Sequence, residues 1–260
     1  MKHVFTLLLI SFVIASQAQV QMGFDYVNST PQGTLGQNIQ PVHSFAMGGN
    51  FRLKANPQFY LGAELALGSY AHKTQEQTLI SPEDGFETHT DVHFSSNIHN
   101  YHAVLGYDLT KGTMVIPYVT VKTGVSRFNT NISIADPTDE DSCHPLEEES
   151  VFNDVAFSAG AGAGLKIDAS TIFRKPCKGS WWFDFSANYL WGSSLDYINV
   201  KYLSPDEPGP NNFTREVGAE FVHITSHHTH EHQIAQVYTS NIRLLDFKIG
   251  IVKTLGWCKY

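Results

Sequence analysis

Alternate positions from Phe59 place Phe59, Leu61, Ala63, Leu65 and Leu67 on one side of an extended chain, and Tyr60, Gly62, Glu64, Ala66 and Gly68 on the other. A period of two is the signature of a β-strand with two unlike faces. The pattern returns in VAFSAGAGAGLKI, where Val155, Phe157, Ala159, Ala161, Ala163, Leu165 and Ile167 oppose a face of glycine, Ser158 and Lys166. It returns in WWFDFSANYLW, with Trp181, Phe183, Phe185, Ala187, Tyr189 and Trp191 against Asp184, Ser186 and Asn188. In RLLDFKIGIV, Leu245, Phe247, Ile249 and Ile251 oppose Asp246, Lys248 and Gly250. Weaker alternation over 20–28, 43–54, 101–109 and 117–128 brings the number of predicted strands to eight.

The connections alternate in length. ANPQ, TKGT and STIFRKPCKGS are short, whereas about 29–41, 73–95, 135–153 and 200–237 are longer and polar. Short turns at one end and long loops at the other are the layout of an up-and-down barrel whose turns face the periplasm and whose loops face outward. A soluble sandwich or a lipocalin-like barrel also alternates, so the chemistry of the polar face has to decide. That face carries Gly, Ser, Ala and Asn with isolated charges, which suits the narrow interior of a small barrel better than a solvated surface. The apolar face carries almost no charge, as a lipid-facing surface requires. Trp181, Tyr189, Trp191 and Trp257 fall near strand ends, where interfacial aromatics belong. The expected fold is therefore all-β: an eight-stranded antiparallel up-and-down transmembrane β-barrel with short periplasmic turns and long extracellular loops.

Residues 1–18 read as a signal peptide. Lys2 is followed by an apolar run from Val4 to Ile14, with Ser16 and Ala18 at an A-x-A-like cleavage site, and the run is shorter than the ~20 residues of a spanning helix. Residues 19–260 then form the barrel domain. In this arrangement the chain resembles the small outer-membrane β-barrel family of Gram-negative bacteria, the group that holds OmpX-like and OmpA N-terminal barrels. The resemblance rests on pattern over the whole mature chain and not on an invariant motif. It implies a place in the outer membrane, contact with its lipid and lipopolysaccharide, and folding by the barrel-assembly machinery. That machinery is thought to read a terminal aromatic. The chain ends in Tyr260, with Cys258 and Lys259 interrupting the alternation after Trp257.

With the small face inward, the lumen collects Asp25, Glu64, Asp108, Asp184 and Asp246 with Arg52, Lys122, Lys166 and Lys248. Near-balanced buried charges should pair across strands and close a narrow lumen; the alternative is a narrow porin-like channel lined by the same groups. The formal net charge of −8, without a block of Lys or Arg, argues against a nucleic-acid partner.

Most histidines fall toward the loop end: His72, His89, His93 and His99 near the second loop, His144 in the third, and His43 and His102 on the outer parts of their strands. The densest stretch is HITSHHTHEH, with His223, His227, His228, His230 and His232. Imidazole is a common ligand of Zn and Cu ions, and in an extended segment His228, His230 and His232 point one way. These five are the candidate metal ligands, although the spacing matches no zinc signature and a solvated loop would read the same. The acidic run Asp136, Asp139, Glu140, Asp141, Glu147, Glu148 and Glu149 lacks the order of a calcium loop. Cys177 and Cys258 fall at the periplasmic ends of neighbouring strands, where a disulfide would persist; a bridge between them that leaves Cys143 unpaired and a pair of free cysteines are both open readings. A rim enzyme acting on lipid A would need a hydroxyl beside a base. His223 with Thr225 and Glu216 or Glu220 is the nearest arrangement, but it lies in a loop and offers Thr in place of Ser. The expected function is an outer-membrane scaffold, not an enzyme, with no bound cofactor, that presents His-rich and acidic loops for surface or divalent-metal contact. A soluble exported binding barrel is a lower alternative.

Overall fold

Strands form where apolar and polar residues alternate, and in the computed structural model they continue well beyond those segments. The structure describes residues 18–53, 56–80, 87–134, 147–169, 181–202, 212–222 and 229–255. The first strands are β1 (Ala18–Pro31), β2 (Val42–Leu53), β3 (Asn56–Ile80) and β4 (Glu87–Asp108). They are followed by β5 (Val115–Ile134), β6 (Glu147–Asp168), β7 (Trp181–Ile198), β8 (Arg215–Val222) and β9 (Thr229–Leu255). A five-residue helix, α1 (Thr34–Asn38), follows β1, and a short 3-10 turn over Val200–Tyr202 follows β7.

Seven of these strands pair antiparallel in chain order, β9 joins β7, and β1 pairs with β9 from Val20↔Leu255 to Pro31↔Leu244. That last pairing closes an eight-stranded barrel, while β8 is a flange on the upper part of β9. Cross-strand partners lead from Met22 through Gly49, Ala63, Ala103, Thr123, Ala159 and Trp191 to Arg243. Gln32 N–H donates to Arg243 O at 2.9 Å, so the path returns to β1 ten residues beyond Met22. Eight strands with that stagger must tilt by roughly 35–45° to the barrel axis. The interior is then only wide enough for side chains to fill it.

The outward face is apolar over one band. Phe24, Phe45, Leu61, Tyr101, Val121, Phe157, Phe185 and Ile249 stand exposed on successive strands of the barrel. Below and between them the inward positions are polar: Asp25, Arg52, Asn100, His102, Lys122, Lys166, Asn188 and Lys248 are buried.

Higher on the same strands the chemistry of the two faces changes places. On β4 the inward series Asn100, His102 becomes Ile98, Phe94 and Val92, while Asn97 and His93 face out. On β5, Lys122 and Ser126 give way inward to Phe128 and Ile132. On β9, Lys248 and Asp246 give way to Leu244, Ile242 and Tyr238, with Arg243 and Asn241 outside. On these three strands the alternation runs unbroken through the change, whereas bulges interrupt it at Tyr70 on β3 and between Trp191 and Ser194 on β7. What changes is the solvent each face must suit: hydrocarbon outside at the band, water outside above it.

The expected loops are corrected accordingly. Residues 73–80 and 87–95 are strand and not loop: β3 pairs with β4 up to Ile80↔Glu87. Strand also replaces loop over 147–153, 215–222 and 229–237. The reason is that an inward apolar row can be buried inside a sheet barrel in water as well as in lipid, so nothing obliges the strands to stop at the band. The segments 135–146, 170–180 and 256–260, with Asp136 to Asp141, all three cysteines, Trp257 and Tyr260, lie outside the described residues. So does the segment 1–17.

Replacing outward Val121 by Arg within the band should cost roughly 2–4 kcal/mol of folding free energy in lipid vesicles. Ser194→Arg, outward and above the band, should stay within about 0.5 kcal/mol. Urea unfolding of the two variants in the same vesicles reads the difference.

Candidate functional site: the barrel lumen and its mouth

Three layers of side chains cross the lumen. In the lowest, Arg52 Nη1 meets Asp108 Oδ2 at 2.6 Å and Lys166 Nζ meets Asp108 Oδ1 at 3.1 Å. Arg52 Nε also donates to Gln21 Oε1 at 2.9 Å, and Gln21 Nε2 to Thr254 Oγ1 at 3.0 Å. Tyr60 and Tyr118 pack edge to face at 6.5 Å, and the Lys166 ammonium lies 4.5 Å from both ring centres. Tyr118 Oη donates to Asp184 Oδ1 at 2.7 Å.

In the middle layer, one carboxylate serves two ammonium groups. Lys122 Nζ reaches both oxygens of Glu64, at 2.8 and 2.9 Å, and Lys248 pairs with Glu64 Oε2. All three are nearly enclosed, so the pairing offsets a desolvation cost that neither lysine could bear alone. Above it runs a hydrogen-bonded chain: His102 Nε2 lies 2.8 Å from Ser158 Oγ, and the Ser126 hydroxyl contacts Ser158 at 2.9 Å and Asn100 at 2.5 Å. The expected lumen charges are thus brought together. Six of the nine, Arg52, Glu64, Asp108, Lys122, Lys166 and Lys248, form ion pairs with one another. His102, expected on the outer part of its strand, lies there and points into the lumen beside outward Tyr101.

Glycine on the inner face has a specific use here. A Cβ on Gly106 would fall within the Tyr60 ring and one on Gly164 within the Tyr118 ring, while one on Gly250 would collide with the Asp25 carboxylate. Each glycine is therefore the seat of a long side chain from the neighbouring strand, which lets large polar groups lie flat against the wall. About 60 Å³ remains open, lined by Asp25, Asn50, Glu64, Asp184 and Asn188 among others, enough for a few water molecules.

The third layer is apolar and was not legible as such in the sequence. Tyr70, Phe94, Phe128, Tyr197, Ile198, Val237, Tyr238 and Ile242 form one buried cluster, completed by Leu35 and Ile39 at the helix α1 and Val200 in the turn after β7. The end of β7 bends into the mouth and is held there by its backbone. Ile198 O accepts hydrogen bonds from Tyr70 Oη (2.7 Å), Ser96 Oγ (2.9 Å) and Thr130 Oγ1 (3.5 Å). Asn38 Nδ2 donates to Tyr197 Oη at 2.8 Å, and Asn199 Nδ2 returns to Asn38 O at 2.7 Å, tying the helix to the same strand end. Burial raises the pKa of the Tyr70 and Tyr197 hydroxyls and pushes that of Tyr238 up to about 12, so these groups stay neutral hydrogen-bonding partners.

Of the candidate metal ligands, His223, His227 and His228 lie outside the described residues, as does Thr225. His230 and His232 fall on β9, where the pairing steps from Glu231 to Gln233 across a bulge at His232. Among the described residues no three His, Cys, Asp or Glu side chains are grouped to hold a metal ion.

A closed eight-stranded antiparallel barrel with an apolar outer band and a polar, glycine-seated interior is the architecture of the small outer-membrane β-barrels. No family model matches the chain, and no curated protein matches it. Solved structures similar to it include neisserial surface protein A, at 12% identity and a TM-score of 0.42, covering 91% of this chain and 96% of that one. Ail, the attachment invasion locus protein of Yersinia pestis, in complex with the heparin analogue sucrose octasulfate, is similar at 9% identity and a TM-score of 0.38, covering 92% and 97%. AlkL follows at 10% identity and a TM-score of 0.34, covering 94% and 93%. At such levels the barrel assignment stands on the chain's own strand order, closure and faces.

Glu64→Ala leaves two buried ammonium groups facing each other and should destabilise the barrel by roughly 3–5 kcal/mol. Replacing Glu64 by Leu and both Lys122 and Lys248 by Met should recover most of that loss, because it removes the buried charges together with their partner. Denaturant unfolding of the three proteins in one detergent makes the comparison.

Proposed function

We propose that the protein is an outer-membrane scaffold with a closed lumen, which carries a rigid, water-exposed β-extension to the cell surface for contact with lipopolysaccharide, divalent metal or another surface. The observation that carries this reading is the stacking of two ion-paired layers and an apolar layer across one narrow lumen, with a cavity of about 60 Å³ between the charged layers. An ion would have to break paired charges below and then cross an apolar layer where no water replaces its hydration shell.

The outer-membrane location is supported by the apolar band and by the signal-peptide pattern over residues 1–18. The barrel-assembly machinery is the expected folding partner. Lipopolysaccharide is the expected neighbour, because outward His43, His99, Arg127 and Arg243 follow the apolar band on its upper side, where polar and basic groups suit lipid phosphates. No enzymatic role is proposed, and the lumen layers are read as structural. The five histidines His223, His227, His228, His230 and His232 remain the proposed surface ligands for Zn or Cu ions.

In cell fractionation the protein should follow the outer membrane and shift in gel mobility on heating; recovery from the periplasm without a shift would overturn the location. In planar bilayers the purified barrel should give no steady openings, and reproducible single-channel steps would instead favour the narrow channel. Titration calorimetry with Zn²⁺ and Cu²⁺ should show weaker binding when His228, His230 and His232 are all changed to Ala, and equal binding would remove the tract from the reading.

A further inference from the structure

The β3–β4 hairpin rises above the apolar band with its outer face in water, and that face carries a histidine pair separate from the His-rich tract. Thr74 stands opposite His93 in the register, and His72 stands opposite Ser95, so the two imidazoles are diagonal neighbours on one side of the sheet. Their rings stack at 6.2 Å between centres and 17° between planes. One nitrogen of each ring faces the same atom: Thr74 Oγ1 lies 3.4 Å from His72 Nε2 and 3.0 Å from His93 Nδ1.

A hydroxyl has a single proton to give, so it can satisfy only one ring nitrogen as an acceptor; the other ring must turn an N–H toward the oxygen. A metal ion has the opposite requirement. It takes a lone pair from both nitrogens at once, with each bond near ~2.1 Å. Rotation of two side chains that are exposed or half-exposed is enough to close the pair on an ion placed where the hydroxyl now mediates. The next cross-strand pair on the same face is Glu76 and Asp91, both exposed, which makes the local field attractive to a cation.

We propose that His72 and His93 form a two-imidazole site for a divalent transition-metal ion of the Cu²⁺ or Zn²⁺ type, with water completing the coordination shell. Two nitrogens and oxygen ligands suit the tetragonal preference of Cu²⁺ in particular. The site rests on the hairpin alone and holds whether or not the lumen conducts and whether or not the His-rich tract binds metal.

The test uses the full mature protein refolded in detergent, with His223, His227, His228, His230 and His232 all changed to Ala so that the tract contributes nothing. Cu²⁺ is the probe, followed by calorimetry and by the nitrogen splitting in its electron paramagnetic resonance spectrum. The expected result is one ion per chain with two coupled nitrogens. His72→Ala and His93→Ala should each weaken binding at least tenfold, and both together should abolish it. Heat-modifiable mobility checks that every variant is folded. Retention of binding in the folded double variant, or absence of binding in the tract-free parent, overturns the proposal.

Discussion

Inside hydrocarbon a strand has no water to satisfy its N–H and C=O groups, and every other feature of this chain follows from meeting that constraint. The pairing of β1 with β9 does so by removing both edges of the sheet over the apolar band. Once the sheet is closed, its stagger of ten residues over eight strands sets the tilt, and the tilt sets an interior too narrow to stay open. The lumen then has to be filled with whatever the inward positions supply.

They supply charges, and the low dielectric of the lumen makes their arrangement consequential. Glu64 shared between Lys122 and Lys248, and Asp108 shared between Arg52 and Lys166, are reciprocal solutions to one problem: each puts two cations on one carboxylate near the barrel axis. The glycines opposite Tyr60, Tyr118 and Asp25 give those layers room. Above the band, the same inward positions turn apolar, and the barrel continues as an ordinary water-soluble sheet closed over its own core. The bend of β7 into the mouth, anchored through Ile198 O, ends that core and joins it to α1.

Strand number, the lipid-facing rows and the membership of the lumen were legible because each depends on a period of two that survives any tertiary detail. Phe157, Ala159 and Ala161 against Ser158, Gly160 and Gly162 can be read from six letters. The upper hairpins were harder for a physical reason. Where both environments flip, Ile98 and Phe94 occupy the parity that Asn100 and His102 occupy below, so a search for one continuous apolar face loses the strand at the point of inversion. The pairing of His72 with His93 was hidden for a different reason: it joins residues twenty-one apart through a register that no local pattern states.

The sequence by itself determined that this chain builds strands, how many enclose the lumen, and which side chains each face must carry, because alternation and charge are properties of neighbouring positions. Only the tertiary structure decided which lysine shares which carboxylate, where the faces change places, how far the strands rise, and what closes the mouth. Those outcomes depend on register and stagger, which are fixed by closure of the whole sheet and by no single strand within it.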